Sequence, residues 1–335
     1  MPTSPHPYQA RLRGVKQQLL LSLLIIAIVS ACSSRAIERG TTPASSEASQ
    51  ASCRIVQHAM GETCIPLNPQ RVVTLWKGTF CSTLALGIKP IGYTRSLDKS
   101  FPEYLQSKAD GVESVGTYEQ PSLEKILLLK PDLILSIKRF QFQDIYTQLS
   151  KIAPTVVIDV SAPPPPWQKH LEDVAKIFDK EQEKKQLIDE YWQRIEQLKQ
   201  ALGDRRHQIQ VSIATSYPEI GGVYTYGKKF STSVVLDDIG LKRPPAQRGD
   251  FWVMPNISYE RLSEIDGDIL FLCTRKNNAY EQALEKLQQS PLWQKLKVVQ
   301  QNQVYIVDLD YWSAFDVLAM NAVIDDLFKY LVNTS

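Results

Sequence analysis

Ser122-Leu123-Glu124-Lys125-Ile126, running through Pro131-Asp132 into the apolar stretch Leu133-Ile134-Leu135, returns later as Ser258-Tyr259-Glu260-Arg261-Leu262, running through Gly267-Asp268 into Ile269-Leu270-Phe271. Both stretches read Ser-x-Glu-basic-aliphatic, then a short helical face, a turn, an aspartate and a buried strand. They are offset by 136 residues (260 − 124), and the same offset joins Arg139 to Arg275, four residues past each strand. A period that long is not that of a solenoid. It describes two similar lobes with equivalent surfaces.

Working outward, strands and helices alternate. Arg71-Val72-Val73-Thr74-Leu75-Trp76 reads as a strand, Cys81 to Leu86 as a short helix stopped at Gly87, and Lys89-Pro90-Ile91-Gly92-Tyr93 as a second strand. Thr155-Val156-Val157-Ile158 adds another. This alternation predicts an α/β fold with parallel-type central sheets. Pro163 to Pro166 is a stiff extended segment that no helix continues through. Beyond it, Leu171, Val174, Phe178, Leu187, Tyr191, Ile195, Leu198 and Leu202 keep helical spacing. That spacing predicts a single long helix over Trp167 to Leu202, roughly 50 Å at 1.5 Å per residue and longer than one small lobe. Gln210-Val211-Ser212-Ile213-Ala214 opens a second α/β set, and Ile239-Gly240-Leu241-Lys242-Arg243-Pro244 echoes Leu86-Gly87-Ile88-Lys89-Pro90.

The amino terminus carries Arg11, Arg13 and Lys16 before an apolar run from Leu19 to Val29, closed by the small residues before Cys32. The run is short for a membrane span and has the layout of a secretory signal. Val29-Ser30-Ala31-Cys32 resembles the bacterial lipobox, in which the cysteine is diacylated and becomes the mature amino terminus. The Ser/Thr/Ala-rich stretch to Ser52 then reads as a flexible tether. The expected organisation is a signal peptide (1–31), a tether (32–52), an N-terminal lobe (53–166), a rigid interlobe helix (167–203) and a C-terminal lobe (204–335).

Composition excludes several classes. A net charge of +2 and the lack of a basic, aromatic-laced stripe argue against nucleic acid. With 43% hydrophobic and 22% charged residues, the exported body is an ordinary folded protein. Cys53 and Cys64 flank a polar turn in an apparent hairpin, where an oxidising compartment favours a disulfide. Cys81 and Cys273 read as buried thiols. Gly222-Val223-Tyr224-Thr225-Tyr226-Gly227-Lys228 fits a phosphate-binding loop up to its lysine, but Lys229 stands where Ser or Thr is required, and alternating tyrosines fit a β-hairpin better. Dispersed histidines argue against a metal site, and no nucleophile elbow or paired-carboxylate site points to an enzyme.

His58-Ala59-Met60-Gly61-Glu62, Pro69-Gln70-Arg71-Val72-Val73, Gly116-Thr117-Tyr118 with Pro121-Ser122-Leu123-Glu124-Lys125-Ile126, and Lys130-Pro131-Asp132-Leu133-Ile134 occur in the order and spacing of a known family. With the interlobe helix, they make the chain from residue 53 onward resemble the class III periplasmic binding proteins of iron-siderophore and vitamin B12 uptake. The resemblance implies a shallow ligand cleft between two lobes held apart by the helix. It also implies one surface glutamate per lobe docking on arginines of an ABC importer permease, which maps onto Glu124 and Glu260. Each of these glutamates also suits the first turn of a helix begun by Ser122 or Ser258. The ligand it implies is a ferric siderophore, with no resident cofactor, and the chain is read as a monomer touching the membrane only through its lipid. A corrinoid or haem receptor is the alternative within the fold, and a non-transport envelope interaction module the alternative outside it.

Ligands of parallel α/β sheets bind beyond the carboxyl ends of strands. Trp76, Arg139, Tyr217, Arg275 and Trp312 lie just past predicted strands, Arg95 follows the strand ending at Tyr93, and Arg248 and Trp252 lie in a polar loop. Guanidinium groups suit the oxygen-rich surface of an anionic chelate and aromatic rings its apolar parts. These eight residues are the expected cleft.

Overall fold

The computed structural model describes residues 53–95, 100–138, 143–160, 166–218 and 222–332; Cys32 and Arg139 fall outside them. Strands β1 (Cys53–His58) and β2 (Gly61–Pro66) form an antiparallel hairpin. Cys53 and Cys64 are joined by a disulfide across it, their Cα atoms 5.6 Å apart. The two are diagonal rather than opposed, since Cys64 faces Ile55 and Cys53 faces Pro66. The hairpin covers a sheet edge: the Ala59 N–H donates to the Val157 carbonyl at 2.9 Å, and Thr63 Oγ1 to the Thr155 carbonyl at 3.2 Å. An edge so covered cannot template pairing with another chain.

The first sheet is built from β3 (Val72–Thr74), β4 (Gly92–Tyr93), β5 (Glu113–Ser114), β6 (Leu133–Ile137) and β7 (Thr155–Ile158). Between them run α1 (Lys77–Ala85), α2 (Glu103–Ala109), α3 (Leu123–Leu128) and α4 (Gln143–Leu149). The order is β5-β4-β3-β6-β7, and every pairing is parallel. Strands β6 and β7 are buried throughout, as expected where helices cover both faces.

The connection to the second lobe is helical, but not as one rod. Helix α5 (Trp167–Phe178) ends at Asp179, whose backbone is left-handed (φ 56°), and α6 (Glu181–Leu202) begins two residues later. The Lys180 N–H closes α5 by donating to the Ala175 carbonyl at 2.9 Å, the long bond of a left-handed helix stop. This corrects the single helix expected over 167–203. Glu181 and Glu183 in the first turn of α6 suit a new helix start, a signal that apolar spacing alone overlooks. Exposed pairs such as Glu172–Lys176 and Lys185–Asp189 line the outer faces, and Leu171, Tyr191, Ile195 and Leu198 the inner.

The second sheet contains β8 (Val211–Tyr217), β9 (Gly222–Tyr226), β10 (Val253–Ile257), β11 (Ile269–Thr274) and β12 (Val304–Asp308). Helix α7 (Ser231–Ile239), a 3-10 segment (Tyr259–Ile265), α8 (Asn278–Gln288) and α9 (Lys297–Gln300) connect them, and α10 (Leu309–Trp312) and α11 (Val317–Leu327) close the chain. Its order, β10-β9-β8-β11-β12, repeats the first sheet position for position. The pairings do not all repeat, because β8–β9 and β9–β10 are antiparallel. The tyrosine-rich stretch is therefore the expected hairpin. The segment echoing Leu86 to Pro90 contributes an isolated bridge from Lys242 to Gln210 instead of a strand. Arg243 turns inward there and donates to the Tyr226 carbonyl at 2.7 Å and Gln247 Oε1 at 2.8 Å.

The repeated aspartate has one structural task in both lobes. Asp132 accepts the backbone N–H groups of Gln70 and Arg71 at 2.7 and 2.9 Å, just before β3. Asp268 accepts the Gln210 N–H at 2.7 Å, just before β8. Each carboxylate fixes the entry of the central strand beside its own. The repeated serine diverges: Ser122 Oγ caps α3 by accepting the Lys125 N–H at 3.3 Å, whereas Ser258 makes no such cap on its 3-10 segment, which kinks at Arg261. One apolar core runs from Val72 and Leu133 through Leu171 and Tyr191 to Ile213 and Phe271, linking both sheets through α5 and α6.

Candidate functional site

In each sheet the chain reverses direction of growth between two central strands, β3 and β6 in the first and β8 and β11 in the second. The carboxyl ends of such strands open a crevice where ligands settle. Trp76 and Lys77 follow β3, and Tyr217 and Arg275 end and follow β8 and β11. The two crevices meet: Lys77 Nζ donates across the lobes to the Asp310 carbonyl at 2.6 Å, and Lys276 lies 3.8 Å from Glu103.

On the N-terminal side, Trp76 is half-buried, with its ring edge-on to His170 at 4.9 Å. It folds back over the first turn of α1, which requires Gly78, since a Cβ there would lie 2.1 Å from the indole. Burial pushes His170 down to about 4, so the imidazole beneath Trp76 is neutral. Arg95 is half-buried, its guanidinium 4.7 Å from the Phe101 ring centre in a cation–π contact. Phe101 continues a stack through Phe80 and Tyr93. Lys77 lies 5.7 Å from the centre of the Tyr104 ring.

On the C-terminal side, the Tyr217 ring packs 4.5 Å from Tyr224 and 5.7 Å from Tyr280. Burial holds its hydroxyl above the usual tyrosine range, so it is a protonated donor at neutral pH. Arg275 Nε donates to Asp310 Oδ1 at 2.9 Å, and its guanidinium sits 5.6 Å from the Tyr280 ring. Burial is the largest single influence and works against that charge, but the Asp310 carboxylate together with Tyr280 and Tyr217 outweighs it, and the guanidinium stays above its ordinary value. Trp252 is 38% exposed and lies 6.0 Å from Phe315, one residue before the cap of α11. The set thus combines cations and aromatic faces from both lobes, suited to an anionic ligand with apolar parts.

One expected residue is placed otherwise. Trp312 is fully buried, 4.5 Å from Phe271, with Nε1 donating to Asp326 Oδ2 at 2.8 Å. It is a core residue, because α10 turns its indole under the second sheet. Arg248 is exposed, and its Nε donates to the Arg243 carbonyl at 2.7 Å within its own loop. Sequence reasoning missed Lys77 and Asp310. The signal for Lys77 was available: a cation in the first turn of a helix opposes the macrodipole and needs another reason to be there.

Glu124 and Glu260 are both exposed, and each opens the segment leading from the edge strand of its sheet to β6 or β11. The Ser258 hydroxyl, with backbone help, holds the Glu260 carboxyl below its usual range. Glu264 is instead engaged by Arg261, at 2.5 and 2.9 Å. A separate cavity of about 740 Å³ lies between the hairpin, β7 and α5, where Lys169 and Asp173 pair with each other. Among the described residues no group of three or more His, Cys, Asp and Glu is placed to hold a metal ion, and no helix is long and apolar enough to cross a membrane.

Known proteins resemble the chain over nearly its whole length. The probable siderophore-binding lipoprotein YfiY of Bacillus subtilis is 34% identical, over 94% of this chain and 98% of its own. The Fe(3+)-citrate-binding protein YfmC of the same organism is 30% identical, over 92% and 93%. Among solved structures, Staphylococcus aureus SirA complexed with staphyloferrin B superposes with a TM-score of 0.68 at 28% identity, covering 83% of this chain and 98% of SirA. The family model for periplasmic binding proteins matches residues 72–311, from β3 into α10, whose Asp310 binds Arg275, and the chain belongs to that family.

Proposed function

We propose that this chain is an extracytoplasmic receptor that captures a ferric siderophore between its lobes and delivers it to an ABC importer. The observation that carries the reading is the meeting of two strand-end crevices at the Lys77–Asp310 contact, with Trp76 and Arg95 on one side and Tyr217 and Arg275 on the other. Relatives named for siderophores and ferric citrate support the ligand class. Trp252 serves as a further aromatic wall, and Arg139 enters by its repeat equivalence to Arg275. The iron is cargo, held by its chelator. The lobes are 53–166 and 204–335, joined by 167–203, and diacylated Cys32 holds the mature protein to the membrane, because two acyl chains anchor stably. Glu124 and Glu260 orient the loaded receptor on the permease.

Titration of the purified protein with ferric citrate, a ferric hydroxamate, a ferric catecholate, cobalamin and haem, read by quenching of Trp fluorescence, tests the ligand. Saturable sub-micromolar quenching by a ferric chelate is expected. Saturation by cobalamin or haem alone would move the ligand class, and silence across the panel would overturn the receptor reading. For docking, the Glu124→Ala/Glu260→Ala variant is expected to lose uptake in cells while keeping its affinity. Unchanged uptake would remove the glutamates from the mechanism.

A further inference from the structure

Helix α10, which directly follows β12, places one residue between the cations of both lobes. Asp310 accepts Arg275 Nε on its carboxylate at 2.9 Å, and accepts Lys77 Nζ from the other lobe on its backbone carbonyl at 2.6 Å. Its own N–H is held by Asp308 Oδ1 at 2.7 Å, so its backbone direction is fixed from within the same turn. Asp310 and Arg275 are both about one-third to two-fifths exposed, at 32% and 42%. They therefore face the opening rather than the core. Lys77 has no carboxylate within ion-pair distance among the described residues.

We infer that Asp310 is the charge-setting and positioning residue of the cleft, an internal counter-anion that aims Arg275 and competes with an anionic chelate for it. This rests on the receptor reading above and names its ligand class as anionic. A side chain that only positioned Arg275 would not need a charge: an amide oxygen accepts the same hydrogen bond. A carboxylate also lowers the positive potential that an incoming anion meets. The carbonyl bond to Lys77 belongs to the backbone and survives any side-chain change, so the two roles of this residue are separable.

The test compares the native protein with Asp310→Asn and Asp310→Ala in titrations with ferric citrate, an anionic ferric tris-catecholate and a neutral ferric trishydroxamate. A ligand oxygen on the far side of the guanidinium would lie roughly 6 Å from the lost charge, so removing it through a partly screened site predicts about three- to tenfold tighter binding of the anionic chelates by Asp310→Asn. The gain should shrink as salt rises from about 0.05 to 0.5 M, and the neutral chelate should not gain. Asp310→Ala, which also frees the Arg275 side chain, should bind the anions more weakly than Asp310→Asn. Should Asp310→Asn not fold, Asp310→Ser keeps an acceptor without the charge and is read the same way. Equal or weaker anion binding by Asp310→Asn overturns the inference while leaving the receptor reading intact. So does a native protein that takes only the neutral chelate. A native protein that binds no chelate at all overturns both.

Discussion

Replacing Trp312 by Phe separates a ligand wall from a core residue. The indole is fully buried and makes two interactions that a phenyl ring cannot keep in full. Its Nε1 donates to Asp326 Oδ2, and a hydrogen bond to a charged acceptor contributes about 1.5–3 kcal/mol. Asp326 retains the Tyr311 hydroxyl at 2.6 Å, which places the loss at the lower end, about 1.5 kcal/mol. The smaller ring leaves roughly 35 Å³ beside Phe271, costing about 1 kcal/mol at ~24 cal/mol per Å³. The sum of about 2.5 kcal/mol lowers Tm by about 4 °C, since a folded body of roughly 280 residues unfolds with about 2.1 cal/mol/K per residue. Thermal unfolding followed by circular dichroism, paired with ligand titration, reads both quantities. The expected result is that drop in Tm with affinity unchanged within about twofold. A tenfold loss of affinity with Tm unmoved would refute the assignment and return Trp312 to the cleft wall.

Two further outcomes concern the body that holds the cleft. Asp316 is wholly buried, caps α11 by accepting the Ala319 N–H at 2.9 Å, and leaves Oδ2 without a hydrogen-bond partner. Burial holds its carboxyl above the usual range, so the folded state loses stability as pH rises from the unfolded value near 3.9 through the folded one. Asp316→Asn, which keeps an acceptor for the cap, should raise stability at pH 7 by about 1 kcal/mol and flatten that part of the pH profile, as measured by urea unfolding between pH 4 and 8. A less stable variant at pH 7 would contradict the assignment. Opening the Cys53–Cys64 bridge with a Cys53→Ser/Cys64→Ser pair should cost up to about 3 kcal/mol and be felt by the hairpin, as faster amide exchange over residues 53–66 with ligand affinity intact. Loss of affinity there would tie the hairpin to the site.

What the sequence made legible was whatever depended on neighbours in the chain. The apolar runs Leu133-Ile134-Leu135 and Ile269-Leu270-Phe271 became central strands, the tyrosine-rich stretch became a hairpin, and the cysteines flanking a turn became bonded. Apolar spacing carried across Asp179 because both α5 and α6 face the same core, and a period cannot register a two-residue break between helices that share a face. Trp312 was ambiguous for a different reason. A tryptophan just past a strand suits a cleft or a core equally, and its partners Phe271 and Asp326 come from elsewhere in the fold. Asp310 was invisible because its meaning lies in a contact to Lys77, 233 residues away. Local pattern found the scaffold, and the charge arrangement of the cleft needed the lobes brought together.

The repeat sorts its own residues once each is traced to what it touches. Asp132 and Asp268 are explained by the fold, since both accept the N–H groups that lead into the adjoining central strand. The serines are explained in one lobe by a helix cap and in the other by a hydroxyl that serves Glu260 itself. The glutamates have no common task inside the molecule. Glu124 stands exposed on α3 with Leu127 and Leu128, 58% and 72% exposed, one turn further on the same helix, whereas Glu260 stands on a kinked 3-10 segment beside the Arg261–Glu264 pair. A carboxylate for the helix dipole would account for the first but not for the second, where the regular helix and its serine cap are gone. What remains common to both is position: the same edge of two like sheets, facing outward. A group that the fold does not need in the same way twice, yet presents twice in the same place, is the arrangement that the proposed docking on a permease contacting both lobes requires.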